Sequence, residues 1–531
     1  MNFRIVTTPR CSKGQPQYGK DVVAIGKDED GVIHRWYFEL KGNADKDIDD
    51  NTFNKMDGIR ESILAAKDVP YEDSSIPKFN CLPSKIVVVH NGILKENTHE
   101  QFNKFISREF PNGGFERWDI EKLTALFTQH LFNEALFCDN ESYLLFKKIL
   151  VMMDAPGWGT TDIDKLIDLQ LSYCPTNNNS SRLLVKCFCA LNLALNIIFH
   201  YSQESGILLP AKKSSERIVL KLWAWILKNK KEKNKKVFGL FSRIVELHLA
   251  IYSAFLQKTI PLATCYKGLY MMHGSETEKV CYPLRCYDFM NDLLYYFIAY
   301  NAFCPVITKE TLRQQIDIII AVIRSNTGID VPLLDSHAIT TQLLLWFVLG
   351  HEHEETDEKV IYEHIQRLVM NVIIRKRDEN MFPELYSNRN QVAKSLYEKS
   401  EDYQDSSSLY LMTLVEIVAW MECEPLYRRL REKIEKTGVN LQVSYPIESE
   451  TLECDMFEHR LHEEFSVQTN IKLPESMEDF IKTFRKKYNH IDMRSDKTKF
   501  WFLKILAHVH YETDLFPDFL KLGFWEPLNK E

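Results

Sequence analysis

The sequence predicts an α+β domain at the N-terminus followed by a much larger all-α domain. Three observations carry this expectation. Short β-branched and aromatic runs crowd the first part of the chain, to about residue 130. From about residue 140 onward, apolar residues recur at helical spacing instead. The 531 residues also exceed what one hydrophobic core normally serves. The domains are drawn at 1–135 and 136–531.

Within the first domain, "NFRIVTT", "DVVAIG", "VIHRWYFELKG" and "KIVVVHNG" read as strands. The turn-rich stretches "KGQPQYGK" and "KDEDG" separate the first three. "NTFNKMDGIRESILAAKD" reads as a helix with a polar start, and "ENTHEQFNKFISREF" as another. "ERWDIEKLTALFTQHLFNEALF" opens a third, with Asp119 as its N-cap. In the second domain the amphipathic segments are 182–203, 214–230, 237–257, 284–300, 308–324, 337–350, 357–375, 406–421 and 496–512. No fixed period relates them, so a tetratricopeptide-like array is not expected. An irregular helical domain, in one or two lobes, is.

Composition narrows the class. A hydrophobic fraction of 45% and a charged fraction of 26% are those of a soluble globular protein. Twelve scattered cysteines form no disulfide framework, and the start "MNFRIVTTPRC" has no signal-peptide pattern, so a reduced, cytoplasmic setting is expected. The apolar runs "CFCALNLALNIIFHYSQ" and "LLYYFIAYNAFCPVIT" carry polar groups and read as buried helices rather than membrane spans. A net charge of −8 argues against coating by nucleic acid but allows a local basic face.

Chemistry concentrates in "WYFELKG". Strand side chains alternate faces, so Tyr37, Glu39 and Lys41 share one face while Phe38 and Leu40 take the other. A hairpin through "KDEDGVIHR" brings Asp21, at the start of the preceding strand, to the same place. Two carboxylates are hard oxygen ligands suited to Mg²⁺, which keeps several waters and binds phosphate oxygens. A lysine beside them stabilises the negative charge that develops at phosphorus.

"GKDVVA … FELKG" resembles the Asp-(x)n-Glu-x-Lys signature of the PD-(D/E)XK nucleases, the restriction-endonuclease-like superfamily, and its Mrr-like branch in particular. The order of Asp strand, Glu-x-Lys strand, helix and apolar strand is similar too, and "ERWDIEKLTALF" is similar to the helix that often closes such domains. The resemblance covers about the first 130 residues. It implies a restriction-endonuclease-like mixed sheet flanked by helices. Asp21 and Glu39 would be metal ligands, the Leu40 carbonyl a third, and Lys41 the catalytic lysine, with Mg²⁺ as cofactor and Mn²⁺ as its substitute. It further implies an endonuclease acting on DNA, double-stranded first. One departure is that only some twenty residues precede Asp21, where relatives carry a helix with a further acid; Glu61 is the candidate to replace it.

Other motifs carry less. His351 and His353, His459 and His462, and His508 and His510 match no zinc-ligand spacing and read as solvated or capping residues. "GWGTT" lacks the Gly-Lys-Ser/Thr end of a phosphate loop, and no G-x-S-x-G elbow is present. Residues 205–236 hold ten Lys or Arg against two Glu, densest in "KNKKEKNKK". There Lys230, Lys231, Lys233 and Lys235 are candidate phosphate contacts that hold backbone without reading bases; a solvated interhelical loop is the plainer account.

The expectation is therefore a Mg²⁺-dependent nuclease whose helical domain senses a trigger, binds a partner protein or forms a homo-oligomer. By analogy it would be an effector of bacterial anti-phage defence. A helical interaction scaffold with a non-catalytic nuclease-like domain is the competing expectation, and an RNA nuclease a third.

Overall fold

The computed structural model describes residues 3–8, 18–28, 30–42, 47–123, 126, 137–155, 158–175, 182–274, 277–304, 306–379, 389, 392, 407–437, 440–446, 451–458, 465–468, 471–485 and 493–512. The chain divides into two compact units, Met1–Asp139 and Asn140–Glu531.

The first unit is a five-stranded mixed sheet with helices. Its strands are β1 (Arg4–Thr7), β2 (Val22–Lys27), β3 (Ile33–Lys41), β4 (Ser84–His90) and β5 (Phe115–Trp118), in that spatial order. β1, β2 and β3 are antiparallel neighbours, whereas β3, β4 and β5 run parallel. The β2–β3 hairpin turns where Asp28 accepts the N–H groups of Asp30 and Val32 through its side chain. Gly31 sits there at φ +81°. Parallel neighbours need crossovers. The first contains α1 (Asp50–Asn54) and α2 (Ile59–Asp68), and the second contains α3 (Glu96–Glu109).

The alternation of β3 feeds two cores. Trp36 and Phe38 pack with Ala24, Val87 and Trp118 on one face. Tyr37 packs with Val23, Ile86, Ala66 and Phe79 on the other. Beside the latter, Val88 meets Phe53, Ile59, Ile63, Phe102 and Phe105 from the three helices. Each such side chain, fully buried, contributes about 1.5–3 kcal/mol.

Two expectations need correction. The helix expected over "NTFNKMDGIRESILAAKD" is two helices, broken at Asp57 (φ 58°) and Gly58, where a Cβ would strike the carbonyls that end α1. "FERW" is a strand, not the opening of a helix. β4 offers it an open edge, and Phe115 and Trp118 fill cores on opposite faces of the sheet. Asp119 still acts as a cap just beyond β5, accepting the Lys122 N–H at 3.0 Å.

The second unit is largely helical: α4 (Asn140–Met152), α5 (Thr161–Ser172), α6 (Arg182–Ser205), α7 (Leu209–Lys228), α8 (Lys235–Ala263), α9 (Glu278–Phe303), α10 (Lys309–Ser325), α11 (His337–Leu349), α12 (Glu355–Glu379), α13 (Leu409–Trp420), α14 (Glu424–Thr437), α15 (Leu452–Glu458), α16 (Met477–Arg485) and α17 (Leu503–Tyr511). Two two-stranded sheets interrupt it, Ser407–Ser408 with Asn440–Leu441 and Val443–Pro446 with Phe465–Gln468. By length and composition α6 and α8 could cross a membrane; in the fold both contribute fully buried side chains such as Leu191 and Ile244.

α7 is buried almost all round, charges included. Glu216 is sealed from solvent and receives four donors: Lys212 at 3.0 Å, Lys213 at 3.1 Å, the Tyr252 hydroxyl at 2.6 Å and His510 Nδ1 at 2.5 Å. Lys212 also meets Asp292 of α9 at 2.7 Å. Arg217 bonds Asp164 of α5 and the Tyr511 hydroxyl of α17, each at 2.5 Å. His508 and His510, expected at the surface, are therefore interior groups.

Candidate active site

The β2–β3 ladder closes at Val22 opposite Phe38, and one further step sets Asp21 opposite Glu39. No strand residue continues the ladder there. The Leu40 N–H instead donates to Asp21 Oδ2 at 2.7 Å. A residue's N–H and C=O point to the same side of a strand. The Leu40 carbonyl therefore projects along the edge where the Asp21 carboxylate sits, while its side chain lies on the opposite face, 49% exposed.

Glu39 is buried, and its Oε1 lies 2.7 Å from Lys41 Nζ. The two side chains lie on the Tyr37 face, as the period of two requires. In the parallel register Lys41 stands beside His90, another buried residue. Asp119, just past β5, is held below the usual carboxylate range by the Lys122 N–H, with Arg117 and His90 adding to the effect. The structure thus links Asp21 to the Leu40 backbone, and Glu39 to Lys41, at one end of the sheet.

A second lysine joins them. Lys20 is buried, donates to the Tyr18 carbonyl at 2.8 Å and sits 5.5 Å from the centre of the Tyr37 ring. Burial pushes its ammonium down to about 8, against the opposing pull of Glu39. No motif marks Lys20; its one signal is the preceding glycine. Gly19 adopts φ +67°, and a Cβ there would collide with the Ser62 carbonyl of α2. This close approach turns Lys20 inward.

Glu61, the candidate replacement acid, is committed elsewhere: its carboxylate accepts the Asp57 N–H at 2.9 Å. Among the described residues no group of three or more His, Cys, Asp and Glu side chains is placed to hold a metal. The oxygen donors at this end of the sheet are fewer, namely the Asp21 and Glu39 carboxylates and the Leu40 carbonyl. Each carboxylate spends one oxygen on a neighbour and, with about four lone-pair sites, keeps capacity to accept more. That oxygen-only set fits an ion that retains most of its waters.

In the helical unit Lys230, Lys233 and Lys235 are exposed, but Lys231 is not. It is 3% exposed, 5.5 Å from the Trp225 ring, and burial lowers its pKa. Lys231 is therefore withdrawn from the expected phosphate contacts. Lys230 turns the chain in the left-handed region, and Asn234 caps α8 through the Lys236 and Val237 N–H groups. His351 and His353 bond the Phe347 and His351 carbonyls, as capping residues do. His459 and His462 lie outside the described residues.

Compared with protein-family models, curated proteins and solved structures, the chain matches none.

Proposed function

We propose that the first unit is a Mg²⁺-dependent nuclease of the restriction-endonuclease-like kind, acting on DNA. One observation carries this reading: where the β2–β3 ladder runs out, Asp21 accepts the Leu40 N–H and, on either side of Leu40, Glu39 pairs with Lys41. The strand order, an antiparallel Asp and Glu-x-Lys hairpin followed by a helical crossover to a parallel strand, supports it.

Asp21, Glu39 and the Leu40 carbonyl would hold the ion. Bound there, Mg²⁺ would supply Lewis-acid charge for a phosphoryl oxygen. The chain does the rest. The Leu40 N–H fixes the Asp21 carboxylate, so little reorientation is needed on binding. Packing of Glu39 against the sheet fixes the second carboxylate. Lys41 donates to the phosphate as negative charge develops, and Lys20 adds positive potential from behind Tyr37. Backbone contacts from Lys230, Lys233 and Lys235 would add affinity without sequence preference.

The test is cleavage of supercoiled plasmid, linear duplex, single-stranded DNA and RNA, with Mg²⁺, with Mn²⁺ or with chelator. DNA should be cut in a metal-dependent way, and Lys41→Met should lower the rate by roughly 10²–10³-fold, the usual loss of one charge-stabilising donor. Asp21→Asn and Glu39→Gln should abolish cutting. Equal cutting by all four proteins would refute the site. Cutting of RNA alone would change the substrate. Duplex binding without cutting would favour the scaffold.

A further inference from the structure

A cleft of about 570 Å³ opens in the helical unit between the end of α10, the 3₁₀ turn Thr327–Asp330 and α12. Its base is Asp330, 2% exposed. Both carboxylate oxygens are occupied, Oδ1 by His364 Nδ1 at 2.6 Å and Oδ2 by Arg367 Nε at 2.7 Å. The Asp330 carbonyl accepts from Asn371 at 2.7 Å. Buried Asn326 anchors the turn from the other side, donating to the Ala263 and Val322 carbonyls. The base is thus rigid and fully bonded.

That arrangement orients an arginine. A guanidinium offers five N–H donors in a fixed fork. Arg367 spends Nε on the buried carboxylate, and its side chain remains 42% exposed on the cleft wall. Neither Nη group is bonded among the described residues, so both remain available as donors. Arg324 from α10 and Lys359 from α12 line the same cleft, and neither is ion-paired among the described residues. Three cations converge on one opening, and one of them is held by a buried carboxylate. A held guanidinium fork matches phosphate oxygens in pairs.

The cleft also has an acid. Glu363 lines it beside the cations and is exposed. A bare polyanion spread across the opening would be repelled there. A ligand with phosphate at one end and vicinal hydroxyls at the other would not, because a carboxylate accepts from a diol. The volume lies within the range of small-molecule sites.

We propose that this cleft binds a nucleotide, its phosphates on Arg367, Arg324 and Lys359 and its ribose hydroxyls on Glu363. The site is independent of the nuclease reading and stands if that reading fails.

The experiment measures binding to the full-length protein by calorimetry with ATP, GTP, pyrophosphate, adenosine and a short oligonucleotide. ATP or GTP should bind saturably, pyrophosphate more weakly and adenosine not at all. Arg367→Gln should weaken nucleotide binding at least tenfold. Because that change also disturbs buried Asp330, Arg324→Gln and Lys359→Gln serve as the second arm: both side chains are exposed, and each should weaken binding several-fold with an unchanged melting temperature. Glu363→Gln should weaken ATP but not pyrophosphate. Absence of saturable binding by any nucleotide at millimolar concentration would overturn the proposal, as would affinity unchanged in Arg324→Gln and Lys359→Gln. Tighter, variant-sensitive binding of the oligonucleotide would reassign the cleft to a nucleic-acid chain.

Discussion

Set side by side, the charges at the end of β3 and those inside α7 use the same residue types to opposite ends. Asp21, Glu39, Lys20 and Lys41 make one or two bonds each and keep acceptor and donor capacity unspent. Glu216 accepts four bonds, and Lys212 bridges two carboxylates. A buried charge that is fully bonded clamps helices together; a charge left short of partners is available for a ligand. The difference lies in satisfaction, not in how many charges a segment carries.

The comparison is most exposed at Glu216. Glu216→Ala takes the buried acceptor from Tyr252 and His510, leaves Lys212 with Asp292 alone, and should cost about 3–5 kcal/mol, as removal of one partner from a buried pair does. Denaturation followed through the α7 tryptophans reads the loss. Glu39→Gln should cost under about 1 kcal/mol, since site residues are seldom optimised for stability. Comparable losses in the two variants would erase the distinction.

Acid should separate the units next. Burial pushes the His248 imidazole down to about 3, where it is held neutral between Ser215 and Tyr295. Its unfolded value is near 6.5. Between those limits the unfolded chain binds the extra proton, so stability is full above 6.5 and falls as pH drops toward 3. The slope is about 1.4 kcal/mol per pH unit for this one group. His337, also lowered by burial, steepens it. A denaturation series from pH 7 to 4 should show this fall, and His248→Gln should flatten it.

Lys20 gives a slope of the same sign on the alkaline side. Its folded value of about 8 lies below the ordinary 10.5, so holding it charged at neutral pH is a cost that fades as pH rises between those values. Lys20→Met should stabilise the protein by about 1 kcal/mol at pH 7, with the advantage lost near pH 10.5. Destabilisation at pH 7 would mean that Lys20 is a clamp like Lys212.

The smallest effect belongs to the α7–α8 loop. Changing Lys230, Lys233 and Lys235 together to Gln should alter stability by under about 0.5 kcal/mol. If they contact phosphates, the slope of log affinity against log salt for duplex DNA should fall by roughly 2.7, about 0.9 for each lysine. An unchanged slope leaves the loop as solvated surface.

Much of this was legible in the chain. The period of two in "WYFELKG" placed Glu39 and Lys41 on one face, and hairpin spacing returned Asp21 to them. Helical periodicity located the long helices to within about seven residues, although α7 is buried on nearly every side rather than along one stripe. What escaped depends on distant partners. The burial of Lys212 and Arg217 is invisible in a basic run, since Asp292, Asp164 and Tyr511 arrive from other helices. The inward turn of Lys20 depends on Gly19 meeting α2, and "FERW" became a strand only because β4 had an edge to fill.

The bond between Arg217 and Tyr511 spans 294 residues of chain. At about 5–20 residues per second of synthesis, α7 waits roughly 15–60 s after leaving the ribosome for its last partner. Glu216 waits as long for His510, also 294 residues on, and Trp223 nearly as long for the Ser495 hydroxyl. A helix that the fold buries on nearly every side, charges included, has no stable resting place during that interval. The first unit, complete by residue 139, has none of this delay. Biogenesis therefore has an order: the sheet can close on the ribosome, whereas the helical unit can seal only once residues 510 and 511 have emerged. A nascent chain stalled short of residue 495 should carry a folded first unit and an α7 open to chaperones and proteases.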